Sequence, residues 1–181
     1  MEKKGMPLNK KYFLLGTIAP DLLLTCYFIP HKYEKTEPFL YQITKKAATM
    51  NNYSPAISSF IHGVITHFIC DYFCYPHSSV YNSGLRYHRI YEKHQRLNTG
   101  RSATAIDNTL ASDCDSLSHQ LEDHICEWES GLFQDPKLAE HDMDHAAGFA
   151  EWYISSLSSI AKDATNRAYP SMDMHRDFAF S

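Results

Sequence analysis

The stretch from Phe60 to Tyr75, FIHGVITHFICDYFCY, is apolar around the whole circumference of a helical projection, and a helix without a polar face is one surrounded by protein. Only His62, Thr66, His67 and Asp71 break its apolar character. His67 and Asp71 stand four residues apart, about 40° around the axis at 3.6 residues per turn, so both side chains point into the same space. An ionised carboxylate inside a helical core is expensive unless a cation or several donors meet it. Taken alone, the pair reads first as a hydrogen-bonded His–Asp couple that only orders the core, with part of a cation site as the alternative.

Outward from this helix the period stays helical, and no run alternates long enough for a half-buried strand. Ser54-Pro55 opens the helix and Pro76 ends it. Thr36, Glu37 and Pro38 form a cap and first-turn signal for a helix through about Met50. Gly84 to about Leu97 reads as a third helix, with Asn98 and Gly100 as its stop, and Ser102 to about Phe133 as a long fourth. Pro136 to about Arg167 reads as a fifth, its stripe made by Leu138, Ala146, Phe149, Trp152, Tyr153, Leu157 and Ile160. The expected fold is all-α: a compact multi-helix bundle with one helical domain over 1–168, and a C-terminal tail over 169–181.

Tyr12 to Pro30 is apolar and follows Lys3, Lys4, Lys10 and Lys11, which raises a membrane-spanning or leader-segment reading. Pro20 and Asp21 at its centre argue against it: a central Asp costs roughly 2.5 to 3.5 kcal/mol on insertion, and two halves of about eight residues are too short to span. The stretch is expected to be a buried turn carrying one carboxylate. The five Cys are an odd count without paired spacing, which suits a reducing compartment, and a cytoplasmic location is expected. The net charge of −4, with neither sign in long blocks, gives no means of recruiting nucleic acid or an anionic membrane by charge alone.

Eleven His in 181 residues is the compositional outlier, and six of them fall between His31 and His94. Histidine is the commonest metal ligand among side chains. Within that window His67, Asp71 and His77 form His-x3-Asp-x5-His, followed by His88 and Glu92 at i,i+4 on the next helix. A shuffled chain of this composition contains the first half with an expectation of roughly 0.04. Three imidazoles and two carboxylates on facing helices and their connecting turn are ligand types that zinc takes.

In this arrangement the chain resembles the zinc-dependent phospholipase C family, whose wider superfamily includes secreted fungal single-strand nucleases. That family's core pattern is a His, an Asp four later, a His six after that, then a His and Glu four apart, as in His67, Asp71, His77, His88 and Glu92. Gly16, Pro20 and Asp21 resemble its upstream Gly-x-x-x-Pro-Asp element, and His31 stands where a further ligand is expected. The resemblance covers roughly residues 12 to 94. It implies an all-helical phosphoester hydrolase with Asp21, His31, His67 and Asp71 on one zinc ion and His77, His88 and Glu92 on another. Asp21 and Glu92 are then the expected catalytic carboxylates, Asp21 as the group that orients or deprotonates water. Secreted family members build a third site from an N-terminal Trp and a nearby His; here residue 1 is Met and no His precedes His31, so two ions are expected, zinc or another divalent transition metal.

Three carboxylates and two zinc ions leave such a site net +1 before any hydroxide binds, which suits a small phosphodiester or phospholipid substrate. Stable nucleic-acid binding is not expected, and the sequence is silent on oligomeric state. Two alternatives stay open: a nucleotide or single-strand nucleic-acid phosphoesterase, and a non-catalytic metal-stabilised helical domain that binds a partner.

The remaining candidates read as structural. His141 and His145 flank Asp142 and Asp144 and are expected on a solvated polar face. His119 and His124 are expected at the surface, His62 as a satisfied core histidine, and His94 as either a neighbour of the site or a surface group. Cys70 and Cys74 read as core packing. Tyr72, Tyr75, Tyr81, Tyr87 and Tyr91 crowd the motif, as plain core or as pocket lining.

Overall fold

Ser54 and Pro55 start the apolar helix as the sequence predicts: the Ser54 side chain accepts the Ile57 amide at 3.4 Å and Pro55 takes the first helical position. The computed structural model describes residues 8–22, 31–49, 54–82, 84–97, 106, 109–131 and 138–168. Along these run α1 (Lys10–Leu22), α2 (Tyr33–Ala48), α3 (Pro55–Tyr72), a 3₁₀ turn (Tyr75–His77), α4 (Leu85–Leu97), α5 (Cys114–Gly131) and α6 (Leu138–Ala168). No strand occurs among the described residues, and the fold is all-α.

The apolar helix is central. Ile65, Phe68, Ile69 and Tyr72 of α3 are buried together with Leu40 of α2, Leu117 and Leu121 of α5, and Phe149, Tyr153 and Leu157 of α6. Each such side chain contributes roughly 1.5 to 3 kcal/mol by leaving water. Two hydroxyl pairs cross this core: Thr36 Oγ1 with Tyr72 Oη at 2.8 Å, and Thr44 Oγ1 with Tyr153 Oη at 3.0 Å. The stripe expected on the last helix is borne out at Ala146, Phe149, Trp152, Tyr153, Leu157 and Ile160, all buried; the side chain of Leu138, its first expected member, lies outside the described residues.

Three boundaries differ from expectation. Tyr12 to Pro30 is not a buried turn over its described part: Lys10–Leu22 is a helix with Pro20 inside it. Its small residues face inward and its large ones outward. Gly16 and Pro20 are buried, while Leu14, Leu15, Ile18 and Leu22 are exposed. The cause is a close helix crossing: a Cβ on Gly16 would stand 2.0 Å from the Phe60 carbonyl oxygen, and one on Gly63 would stand 2.2 Å from the Phe13 carbonyl oxygen. Only glycine at both positions lets the backbones of α1 and α3 meet.

The second helix starts at Tyr33, earlier than its expected cap, so Thr36 lies inside it and turns its hydroxyl to the Lys32 carbonyl and Tyr72. The helix expected from Ser102, α5, begins at Cys114, because Asp113 supplies the cap: its Oδ1 accepts the Ser116 amide at 2.8 Å. Ala111 before it is pinned to α6 by a bond from its amide to Ser156 Oγ at 3.2 Å. The expected tail over 169–181 lies outside the described residues. Among the described residues no helix is long and apolar enough to cross a membrane.

Candidate metal centre

Four side chains from three parts of the chain converge at one end of the α1–α3 crossing. Asp21 comes from the last turn of α1, His31 from the segment before α2, and His67 and Asp71 from successive turns of α3. His31 Nδ1 lies 2.8 Å from Asp71 Oδ2, 3.3 Å from His67 Nε2 and 3.9 Å from Asp21 Oδ1. His67 Nε2 lies 3.2 Å from Asp71 Oδ2 and 3.7 Å from Asp21 Oδ1. A tetrahedron with bonds of 2.0 to 2.1 Å has edges of about 3.3 to 3.4 Å, and the three distances among Asp21, His31 and His67, from 3.3 to 3.9 Å, lie at and just above it. The ligand atoms of Asp21, His31 and His67 all fall within 4.8 Å of one another.

The proton on His67 decides what this cluster can hold. Its Nδ1 donates to the Thr17 carbonyl of α1 at 2.9 Å, which leaves Nε2 with a lone pair in the neutral ring. That lone pair faces two carboxylate oxygens, acceptor against acceptor. A proton or a metal cation is needed between them, and the donor set of two imidazole nitrogens and two carboxylates fits zinc. Electrostatics points the same way. Burial alone would raise Asp71, yet hydrogen bonds from His31 and His67 and the neighbouring His77 hold its carboxyl well below the usual range. Burial alone would lower His67, yet Asp71 and then Asp21 raise it.

Exposure separates the four. The side chains of His31 and His67 are 9% and 8% exposed and that of Asp71 20%, whereas Asp21 is 67% exposed. Asp21 is therefore not the buried carboxylate that its apolar surroundings suggested; the outward turn of α1's large residues carries it to the surface.

His77, at the end of the 3₁₀ turn, stacks on His31 with ring centroids 6.1 Å apart and meets the His88 ring edge-on at 4.9 Å. The second predicted group is thus brought beside the first as far as His77 and His88. Glu92 lies one turn beyond His88 on α4; its side chain is outside the described residues. Lys32 Nζ donates to the Ser78 carbonyl at 2.9 Å and ties the His31 segment to the turn that carries His77. Neither Thr17 nor Lys32 has a short-range sequence signal that marks this role.

The other histidines divide. His62 is buried as expected, and burial lowers it. His119, His94 and His141 are exposed. His124 is not the surface group expected, because its ring packs on Phe149 at 4.9 Å. Asp142 and His145 do not sit on a solvated face either: Asp142 is 1% exposed, and the His145 ring packs against Phe73 at 4.9 Å. The turn of α6 on which they lie faces the core, a tertiary effect that the charged local sequence hides. Burial pushes the Cys70 thiol up to about 12, so it stays protonated and packs rather than ligates. Cys74 is buried against Gln95.

Among known protein families, the one described as zinc dependent phospholipase C matches residues 1–133. The chain belongs to that family. Its match takes in every candidate ligand from Asp21 to Glu92 and stops short of α6, the helix that closes the core of this zinc-dependent phospholipase C family member. No curated protein and no solved structure matches the chain.

Proposed function

We propose that this member hydrolyses a small phosphodiester, a phospholipid or a compound like it, using two zinc ions. One is held by Asp21, His31, His67 and Asp71, and the other by His77, His88 and Glu92. The observation that carries the reading is the convergence of the first four groups around a His67 nitrogen whose lone pair is set by Thr17. Bound zinc supplies Lewis acidity and makes water a stronger acid near neutral pH.

The chain's own residues do the rest. His31, His67 and Asp71 are shielded, so they hold charge in place and exclude bulk water, while exposed Asp21 faces the side from which a substrate arrives. Asp21 Oδ1 is the oxygen directed at the imidazoles, which assigns Oδ2 to orient the attacking water and take its proton. Water adds to phosphorus, the P–O bond to the alcohol breaks, and the proton passes to the departing oxygen. The products are a phosphomonoester and an alcohol.

The experiment compares zinc-replete chain on soluble short-chain phosphatidylcholine and on single-stranded DNA, with Glu92→Gln as the blank. Faster release of phosphocholine is expected, because a chain of net charge −4 without basic runs repels a long polyanion. Faster release of nucleotides would move it to the nuclease reading, and hydrolysis of neither would favour a metal-stabilised binding domain.

A further inference from the structure

We infer that Asp142 is a positioning residue for the second zinc site: from α6 it fixes the spacing between the two segments that carry His77 and His88. The inference rests on the two-site reading above. Asp142 Oδ2 accepts the Tyr75 amide at 3.0 Å and the Tyr91 hydroxyl at 2.5 Å. Tyr75 opens the 3₁₀ turn that ends at His77, and Tyr91 lies on α4 three residues after His88 and next to Glu92. A single carboxylate oxygen thereby joins the turn and the helix, reaching them across 67 and 51 residues of sequence.

The two bonds do different things. The first holds the backbone of the turn, and a turn held at its first amide has little freedom left two residues on. The second ties a side chain on α4 to α6 and so restrains where that helix sits beside the turn. Contact between the Tyr75 and Tyr91 rings at 5.9 Å and between Cys74 Sγ and Gln95 Oε1 at 3.4 Å closes the same seam. Packing alone does not call for a carboxylate here. At 1% exposure an Asp costs folding free energy that an apolar residue of its size would not. Among what it supplies are two directed bonds that both end beside the proposed ligands.

The test is calorimetric titration of the full chain with zinc, checked by elemental analysis. Groups that orient ligands are worth about 10- to 100-fold in metal affinity. Asp142→Ala, which removes the oxygen that accepts both bonds, is expected to weaken one of two zinc sites by at least about tenfold and to leave the other unchanged. Tyr91→Phe, which deletes only the α4 bond, weakens the same site by less. Tyr153→Phe deletes an equally buried hydroxyl bond on α6, to Thr44; it lowers the thermal midpoint and leaves both sites intact. On a Glu92→Gln background, which already lacks the second site, Asp142→Ala changes the remaining zinc affinity no further. Where Asp142→Ala does not fold, Tyr91→Phe against Tyr153→Phe decides. Wild type with two sites beside variants that keep both at full affinity, or that weaken both equally, overturns this role alone. Wild type that takes up fewer than two ions overturns the two-site reading and this role with it.

Discussion

Gly63→Ala adds one methyl group to the middle of α3, and helix propensity alone says it should stabilise the protein by about 1 kcal/mol. The crossing with α1 says the opposite. The new Cβ would lie 2.2 Å from the Phe13 carbonyl oxygen and 2.9 Å from both Gly16 Cα and Thr17 N, where ordinary contact begins near 3.5 Å. The obstructing atoms are backbone, so no side chain can swing aside; the helices must part by about 1.3 Å to restore that contact. The bond from His67 Nδ1 to the Thr17 carbonyl spans this crossing at 2.9 Å, as does that from the Asn9 amide to Ser59 Oγ at 2.8 Å. Stretched by the same amount, neither remains a hydrogen bond. Overpacking costs about 1 to 3 kcal/mol and each of the two lost bonds about 0.5 to 1.5, which outweighs the propensity gain and leaves a net loss of about 1 to 5 kcal/mol. For a chain of this length that lowers the thermal midpoint by roughly 2 to 20 °C. Zinc affinity falls as well, since Asp21 moves with α1 and His67 loses the partner that orients it. Circular dichroism melts of zinc-loaded and chelated protein measure both effects. A midpoint that stays level or rises, with zinc retained, would refute the crossing as the device that assembles the site.

Chelation of wild type should lower its thermal midpoint, because zinc at 1,000 times its Kd is worth about 4 kcal/mol of stability; an unchanged melt in a preparation free of zinc, iron and manganese would end the metal reading. Asp71→Ala should cost both activity and stability, because Asp71 sits within the most apolar helix, whereas His77→Ala should weaken one zinc site and leave the fold standing in its turn; equal losses of stability would contradict the placement. His62 and His145 are each held below the ordinary histidine value, in both cases first by burial. The unfolded chain takes up those protons near pH 6.5 while the folded chain resists them, so stability is lost as pH falls below about 6.5, with a slope of up to about 1.4 kcal/mol per pH unit for each ring. His145→Gln should make that acid slope shallower, read from urea melts between pH 7 and 5 at a common zinc concentration; an unchanged slope would show that this ring titrates freely in the folded state.

What the sequence made legible was local. The apolar circumference of Phe60–Tyr75 requires burial wherever the rest of the chain goes, and His67 and Asp71 share a face through helical geometry alone. The stripe of α6 follows from the same period. The misplaced boundaries have a common cause. Thr36 and Ser102 are good cap residues by type, but the helices begin at Tyr33 and Cys114: the Thr36 hydroxyl is turned to Tyr72, and the Ala111 amide ahead of the Asp113 cap is held by Ser156. Tyr72 and Ser156 are so far away in sequence that they leave no mark on a window of ten residues, whereas Asp113 is a local cap signal of the same type as Ser102. Asp142 is the sharpest case: its neighbours His141 and Asp144 advertise a wet face, and only the positions of Tyr75 and Tyr91 make its burial intelligible.

Asp21 shows why hydropathy misleads near a functional site. Large apolar residues on either side of it suggested burial, and burial would have cost the carboxylate its access to water. The chain instead spends its small residues on the interior, Gly16 against Gly63, and turns Leu14, Leu15, Ile18 and Leu22 outward. This inversion is what a close crossing demands, since the width of a helix pair is set by the residues between them. It has two consequences for the site. The Thr17 carbonyl comes within reach of His67 and orients it, and Asp21, next turn along, arrives beside the same imidazole while keeping most of its surface in solvent. The three shielded groups can then serve to hold charge, and the one exposed group can serve to handle a proton. Gly16 and Gly63 are the residues on which that division depends. A glycine in the middle of an apolar helix, disfavoured by about 1 kcal/mol against alanine, is the sequence signal that the second helix passes there.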